Sequence, residues 1–170
     1  PTHAPPPAPY ALTKTPHRLP HGNHSHQHPA LTGTGYFTTV VANIVGPQAI
    51  HHAFELHQSL VDFSRAKLAE YGHHSVQVHH GNAFSLDLEE TMPFARIYVG
   101  AGISMDYAAS VATLLEVGGI MVAPVSTNDH SQALLKLKRI SELEFTVTKL
   151  MSVQFVPLAP PKPQEAPPEL

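Results

Sequence analysis

Residues 32–37, Thr32-Gly33-Thr34-Gly35-Tyr36-Phe37, decide how the rest of the chain is read. Two glycines lead straight into the apolar run 36–45. Glu55 follows Gly35 by 20 residues, at the end of a strand-like stretch, 49–56. A glycine lets the backbone pass close beneath a ligand, and a helix starting just after it favours a negative ligand group. A carboxylate at the end of the next strand accepts hydrogen bonds from ribose hydroxyls. The spacing therefore describes a nucleotide-binding unit. In a dinucleotide oxidoreductase a third glycine would stand where this chain has Thr38, so that class is disfavoured.

Outward from this loop, the hydrophobic period alternates between helix and strand. The run 36–45 is apolar on most sides and stops at Gly46-Pro47. Stretch 49–56 has Ile50, Phe54 and Leu56 on alternate positions, as in a strand. Segment 59–71 opens with Ser59-x-x-Asp62, which resembles a capping box, and aligns Leu60, Phe63, Lys67 or Leu68, and Tyr71 on one helical face. Short strands are expected at 75–80, 95–99 and 120–122, with a helix at 107–115. Gly118-Gly119 is expected to turn into the last of these strands and Pro124 to close it. The runs 132–140 and 145–156 suggest an antiparallel hairpin. Alternating strands and helices followed by a hairpin predict an α/β, Rossmann-like fold: a mostly parallel sheet with antiparallel strands at one edge. Right-handed crossovers gather the strand-to-helix loops at one sheet end. Four loops there are candidates for chemistry, around Gly33, Glu55, Gly81 and Gly100.

Composition sets the limits. Of 17 prolines, eight lie in residues 1–30 and six in 157–170, which marks three segments. Residues 1–30 form a Pro/His-rich segment expected to be disordered or extended, 31–158 a single folded domain, and 159–170 a Pro-rich tail. A net charge of −3 with 14% charged residues offers no basic face for nucleic acid. The absence of cysteine removes disulfides, thiolate nucleophiles and thiolate metal sites. No apolar run reaches membrane-spanning length, and residues 1–30 lack a signal-peptide core, so a cytoplasmic protein is expected. The 14 histidines include the doublets His51-His52, His73-His74 and His79-His80. Neighbours on a strand point to opposite faces, so a doublet does not ligate one metal, and no metal site is expected in the fold.

The stretches 32–41, Phe54-Glu55-Leu56-His57, Gly81-Asn82, 97–102, 114–124 and 150–158 together resemble the protein-L-isoaspartate O-methyltransferases, most closely their domain-containing branch. The resemblance implies methyl transfer from S-adenosylmethionine to isoaspartyl carboxylates in damaged proteins or peptides. It also implies the site residues. Thr32, Gly33, Thr34 and Gly35 would cradle the donor's methionine part and Glu55 would bind the ribose. Leu56 and His57 would flank it, Asn82 and Ala83 would contact adenine, and Gly100 would lie at the next loop. No side chain is expected to act as a catalytic acid or base. The chain departs from the family where a hydrophobic strand normally ends in an acidic residue before the loop. Those positions are Pro29 and, for the loop's first glycine, Leu31, so the fold is expected to be incomplete at its N-terminal end. Residues 1–30 also lack the family's Ser-Ala-Pro-His-type substrate motif, and Asn82 stands where active repair enzymes usually carry Asp. These departures support a second expectation, a catalytically silent adaptor that binds protein partners through the same domain.

Overall fold

A computed structural model describes residues 11–12, 33–81, 93–127 and 131–158. Among these residues the elements follow in the order β1 (Ala11–Leu12), α1 (Tyr36–Val45), β2 (His51–Glu55), α2 (Gln58–Glu70), β3 (Val76–His80), β4 (Phe94–Tyr98), α3 (Met105–Ala112), β5 (Leu115–Ser126), β6 (Gln132–Arg139) and β7 (Phe145–Val153). The architecture is α/β and Rossmann-like. β2 and β3 form a parallel pair, aligned from His51↔Val76 to Glu55↔His80. β4 and β5 are also parallel, and β5, β6 and β7 continue antiparallel in a sheet ordered β1-β4-β5-β6-β7. The expected terminal hairpin is present, with Arg139 opposite Phe145 at its tip. Arg139 fixes that tip through donations to the carbonyls of Thr113 (2.8 Å) and Leu115 (2.6 Å).

β1 pairs antiparallel with β4, Ala11 facing Tyr98 and Leu12 facing Ile97. It therefore runs opposite to β4 and stands 20 residues of chain away from Gly33. The remaining parts of 1–30, and all of 159–170, lie outside the described residues.

Several expectations are corrected by the structure. On β2 the closed face carries His51, Ala53 and Glu55, whereas Ile50, Phe54 and Leu56 are only half-buried. Ala53 decides this: its small side chain lets α2 approach, and it packs with Val61, Leu68 and Val78. The inward face of α2 is Val61, Ser64 and Leu68, one residue round from the expected stripe, which leaves Phe63 and Tyr71 exposed. α2 also starts one residue before Ser59. His57 occupies the cap position without a side-chain cap, and Asp62 accepts instead from Gln58 Nε2 at 2.7 Å.

α3 starts two residues earlier than expected, because the Ser104 hydroxyl accepts from the Tyr107 N–H (3.2 Å) and so caps it. It ends at Ala112, short of the expected 115. β5 then runs 12 residues, through Gly118, Gly119 and Pro124. The glycines form an irregularity inside the strand: Phe94 pairs with Leu115, but Arg96 pairs with Ile120. A Cβ on Gly119 would lie 2.8–2.9 Å from the carbonyl oxygens of Glu116 and Phe94, so no larger residue fits. Pro124 has no N–H to offer, and the β4–β5 ladder ends at Tyr98↔Val122, two residues before it.

The main core gathers Phe94, Ile97, Leu115, Met121, Val125, Leu137 and their neighbours from β4–β6 and α3. Phe54 and Leu56 pack against its edge and so connect β2 to the larger sheet.

Candidate donor-binding site

Gly35 begins the site. Its φ of 82° is left-handed, and its carbonyl accepts from the Thr39 N–H and hydroxyl, both at 2.8 Å, which starts α1 without a side-chain cap. A Cβ at Gly35 would come within 3.1 Å of the Ser64 Cβ and 3.3 Å of its Cα. The glycine therefore supplies both the turn and the close contact between the loop and α2. Sequence reading missed Ser64; a small residue half a helix beyond the acidic strand end was the available signal. Gly33 also has a positive φ, 42°.

Glu55 ends β2 and is fully buried. One carboxylate oxygen, Oε1, accepts from the His57 N–H at 2.8 Å. The other, Oε2, is buried with no hydrogen-bond partner among the described residues. Burial pushes the carboxyl above its ordinary range. The His57 N–H and ring and the N–H groups of Gly33 and Leu56 pull it partly back. The glycine turn and the strand-end carboxylate, 20 residues apart in sequence, thus act on each other directly. A buried carboxylate oxygen without a donor is costly, and a ligand hydroxyl relieves that cost.

His57 Nε2 is likewise buried and unpartnered among the described residues. Leu56 is half-buried against the main core, and its carbonyl lies 3.1 Å from His80 Nε2. The Gly81 N–H donates to the Glu55 carbonyl at 2.9 Å, so the β3 loop begins beside the β2 end. Gly100 is buried just beyond β4. Gly102, in the same loop, is engaged elsewhere: its N–H donates to Val156 and its carbonyl accepts from Leu158, both at 2.8 Å. Thr34 is exposed on the turn. The structure brings Gly33, Gly35, Glu55, Leu56 and His57 together; Thr32, Asn82 and Ala83 lie outside the described residues.

A cleft of about 360 Å³ opens next to Gly35, lined by Tyr36, Val40, Phe63, Lys67 and Tyr71 among others, but Glu55 does not line it. The unpartnered atoms, rather than this cleft, mark the site, because a concave apolar surface alone specifies no ligand chemistry. On the half-open face of β2–β3, His79 stacks on Phe54 (4.9 Å) and on His52 (5.1 Å). His52 Nδ1 lies 2.9 Å from His79 Nε2. The doublet His79-His80 is divided between two faces, as strand geometry requires. The cross-strand His52–His79 contact was not foreseen, since it depends on the β2–β3 register. No helix among the described residues is long and apolar enough to cross a membrane.

Residues 29–162 match the family described as Protein-L-isoaspartate(D-aspartate) O-methyltransferase (PCMT). The protein-L-isoaspartate O-methyltransferase of Methanothermobacter thermautotrophicus is 32% identical over 127 residues, 75% of this chain and 58% of that protein. That of Methanococcus maripaludis is 37% identical over 127 residues, with the same shares. The chain thus spans under three fifths of the length of these curated relatives. Among solved structures, a Plasmodium falciparum chain described as a protein-L-isoaspartate O-methyltransferase in complex with S-adenosyl-L-homocysteine superposes with a TM-score of 0.66 at 21% identity. It covers 75% of this chain and 62% of its own. A second protein-L-isoaspartate O-methyltransferase gives 0.66 at 18% identity, over 76% of this chain and 40% of that one. At those identities the superpositions speak for the fold alone.

Proposed function

The chain belongs to the protein-L-isoaspartate(D-aspartate) O-methyltransferase family, and from that premise we propose that it binds S-adenosylmethionine and methylates isoaspartyl carboxylates in proteins or peptides. The observation that carries the proposal is Glu55: a fully buried carboxylate with one oxygen unpartnered among the described residues, beside a glycine turn. The residues present fit the donor. An acceptor suits a ribose hydroxyl, and the left-handed glycines leave backbone room for the chain attached to it.

In this reading Thr32, Gly33, Thr34 and Gly35 hold the methionine part, Glu55 the ribose, and Asn82 and Ala83 the adenine. Leu56, His57 and Gly100 complete the lining. The bound donor supplies an electrophilic methyl group on a sulfonium. An isoaspartyl carboxylate is already a nucleophile, so the protein has to bind, orient and exclude water rather than move a proton. That is consistent with a site whose ionisable groups, Glu55 and His57, both stand on the donor side.

The test is transfer of labelled methyl from S-adenosylmethionine to an isoaspartyl peptide, with the matching aspartyl peptide as control. Base-labile label on the isoaspartyl peptide alone is the expected result. Donor binding without transfer to any peptide contradicts the enzymatic reading and leaves a binding module that acts through protein partners.

A further inference from the structure

The strands that carry Glu55 and the strands that carry the main core belong to two separate ladders. β2 pairs with β3, while β4 pairs with β5 in the larger sheet. Between them stands β1. Ala11 and Leu12 pair antiparallel with Tyr98 and Ile97 of β4, and the same two residues lie against β2. The strands flanking β1 lead to two parts of the candidate site: β2 ends in Glu55, and β4 runs toward Gly100. Among the described residues, β1 is the strand placed to join the two sheets.

This strand comes from outside the family match, which begins at residue 29. It is also confined by its own sequence. Pro9 and Pro16 bracket the six residues 10–15, and a proline offers no N–H to a ladder. Pairing with β4 covers Ala11 and Leu12 alone. So short a ladder opens at a lower free energy than the long pairings of β5, β6 and β7. Other ties between the two halves are side-chain contacts. Phe54 and Leu56 pack at the edge of the main core, and Phe37 of α1 lies on Tyr98 with ring centroids 4.5 Å apart. They keep the halves close but fix no strand register.

We propose that Ala11–Leu12 is a releasable strap that holds β2 beside β4, so that donor affinity depends on a segment outside the family match. With the strap in place, Glu55 is held in position relative to the loop after β4. With the strap released, β2 opens locally, and fewer molecules carry a complete site. Apparent affinity falls in proportion to that fraction, although no residue touching the donor has changed. The effect on affinity rests on the donor-binding reading above; the strap itself does not.

The experiment combines amide hydrogen exchange, read by mass spectrometry, with calorimetric titration by S-adenosylhomocysteine, both on the whole chain. Two altered proteins are compared with the unaltered one. Ala11→Pro with Leu12→Pro removes both N–H groups of β1. Ala11→Cys with Tyr98→Cys sets two thiols at facing positions of an antiparallel pair, within disulfide reach, in a chain that has no other cysteine. The double-proline variant is expected to exchange about tenfold faster or more over residues 51–55, with exchange over 132–153 unchanged. It should bind S-adenosylhomocysteine about fivefold more weakly or worse. The double-cysteine variant is expected to form the disulfide. Its oxidised form should exchange more slowly over 51–55, and bind more tightly, than its own reduced form. Unchanged exchange over 51–55 in the double-proline variant overturns the proposal, as does faster exchange there with unaltered affinity. Failure of the disulfide to form overturns it too. If the double-proline variant does not fold, the double-cysteine variant decides alone: equal exchange over 51–55 in its two redox forms overturns the proposal, and slower exchange in the oxidised form supports it. If the unaltered chain binds no S-adenosylhomocysteine, the donor-binding reading has failed, and exchange over 51–55 then decides the strap by the same outcomes.

Discussion

The two parallel strand pairs of this protein are built differently. Around β4 and β5, 17 buried residues from the strands, α3 and the segment to Leu158 form one continuous core. Around β2 and β3 the corresponding cluster is four residues, Ala53, Val61, Leu68 and Val78. The smaller half carries Glu55 and His57, with the Gly35 turn packed on its helix, and so it carries buried polar atoms that have no hydrogen-bond partner among the described residues. The larger buried cluster and the candidate ligand chemistry thus centre on different strand pairs. A ligand that fills the site stabilises mainly the half that needs it.

Core deletions should break this comparison most strongly. Leu115 is fully buried in the large cluster, and Leu115→Ala is expected to cost about 3–5 kcal/mol. Leu68→Ala, in the small cluster, should cost about 2–3 kcal/mol, because a thin core collapses onto the vacancy more readily. Urea unfolding of the two variants checks the order; a larger cost for Leu68→Ala contradicts the picture of a thin site-bearing half.

The next effect is at the turn. Gly35→Ala places a side chain at a φ of 82° and against Ser64, and it should cost on the order of 1–2 kcal/mol. Gly35→Asn should cost less, since Asn tolerates the left-handed region better. Equal unfolding midpoints for Gly35→Ala and the unaltered chain would mean that the turn is not as described.

The smallest effects are two opposed pH dependences in the site-bearing half. Burial raises the Glu55 carboxyl above 4.5, so the folded chain holds that proton more tightly than the unfolded one does. Its contribution to stability is full below about pH 4.5 and is lost as pH rises through the folded value. Burial, and then the charge of Arg65, lower the His79 imidazole below 6.5. Its contribution is full above about pH 6.5 and is lost as pH falls through the folded value. In urea titrations across this range, Glu55→Gln should remove the loss on raising pH and stabilise the ligand-free chain near neutrality. His79→Gln should flatten the loss on acidification. The reverse slopes would contradict the burial of these groups.

Much of this was legible in the chain. Gly35 and Gly46 bracket α1, Gly72 ends the region of α2, and the runs after Ser131 form the hairpin. Those boundaries are local, set by backbone conformation and hydrophobic period. The site was legible through the distance from Gly35 to Glu55, since a loop, a helix and a strand leave little freedom in that count. What could not be read depends on partners distant in sequence. Ala53 reverses which face of β2 is closed only because α2 packs there. The β5 strand continues through Gly118 and Gly119 at an irregularity where the Phe94 and Glu116 carbonyls crowd Gly119. The unpartnered state of Glu55 Oε2 and His57 Nε2 is a property of three-dimensional packing that no residue type reveals by itself.

The central claim is that the smaller half is a donor-binding site organised on Glu55. Calorimetric titration with S-adenosylhomocysteine, on the unaltered chain and on Glu55→Ala, tests it most directly. The account predicts one-to-one binding by the unaltered chain and a loss of about 1–3 kcal/mol in Glu55→Ala; equal affinity in the two proteins, or no binding by either, would contradict it.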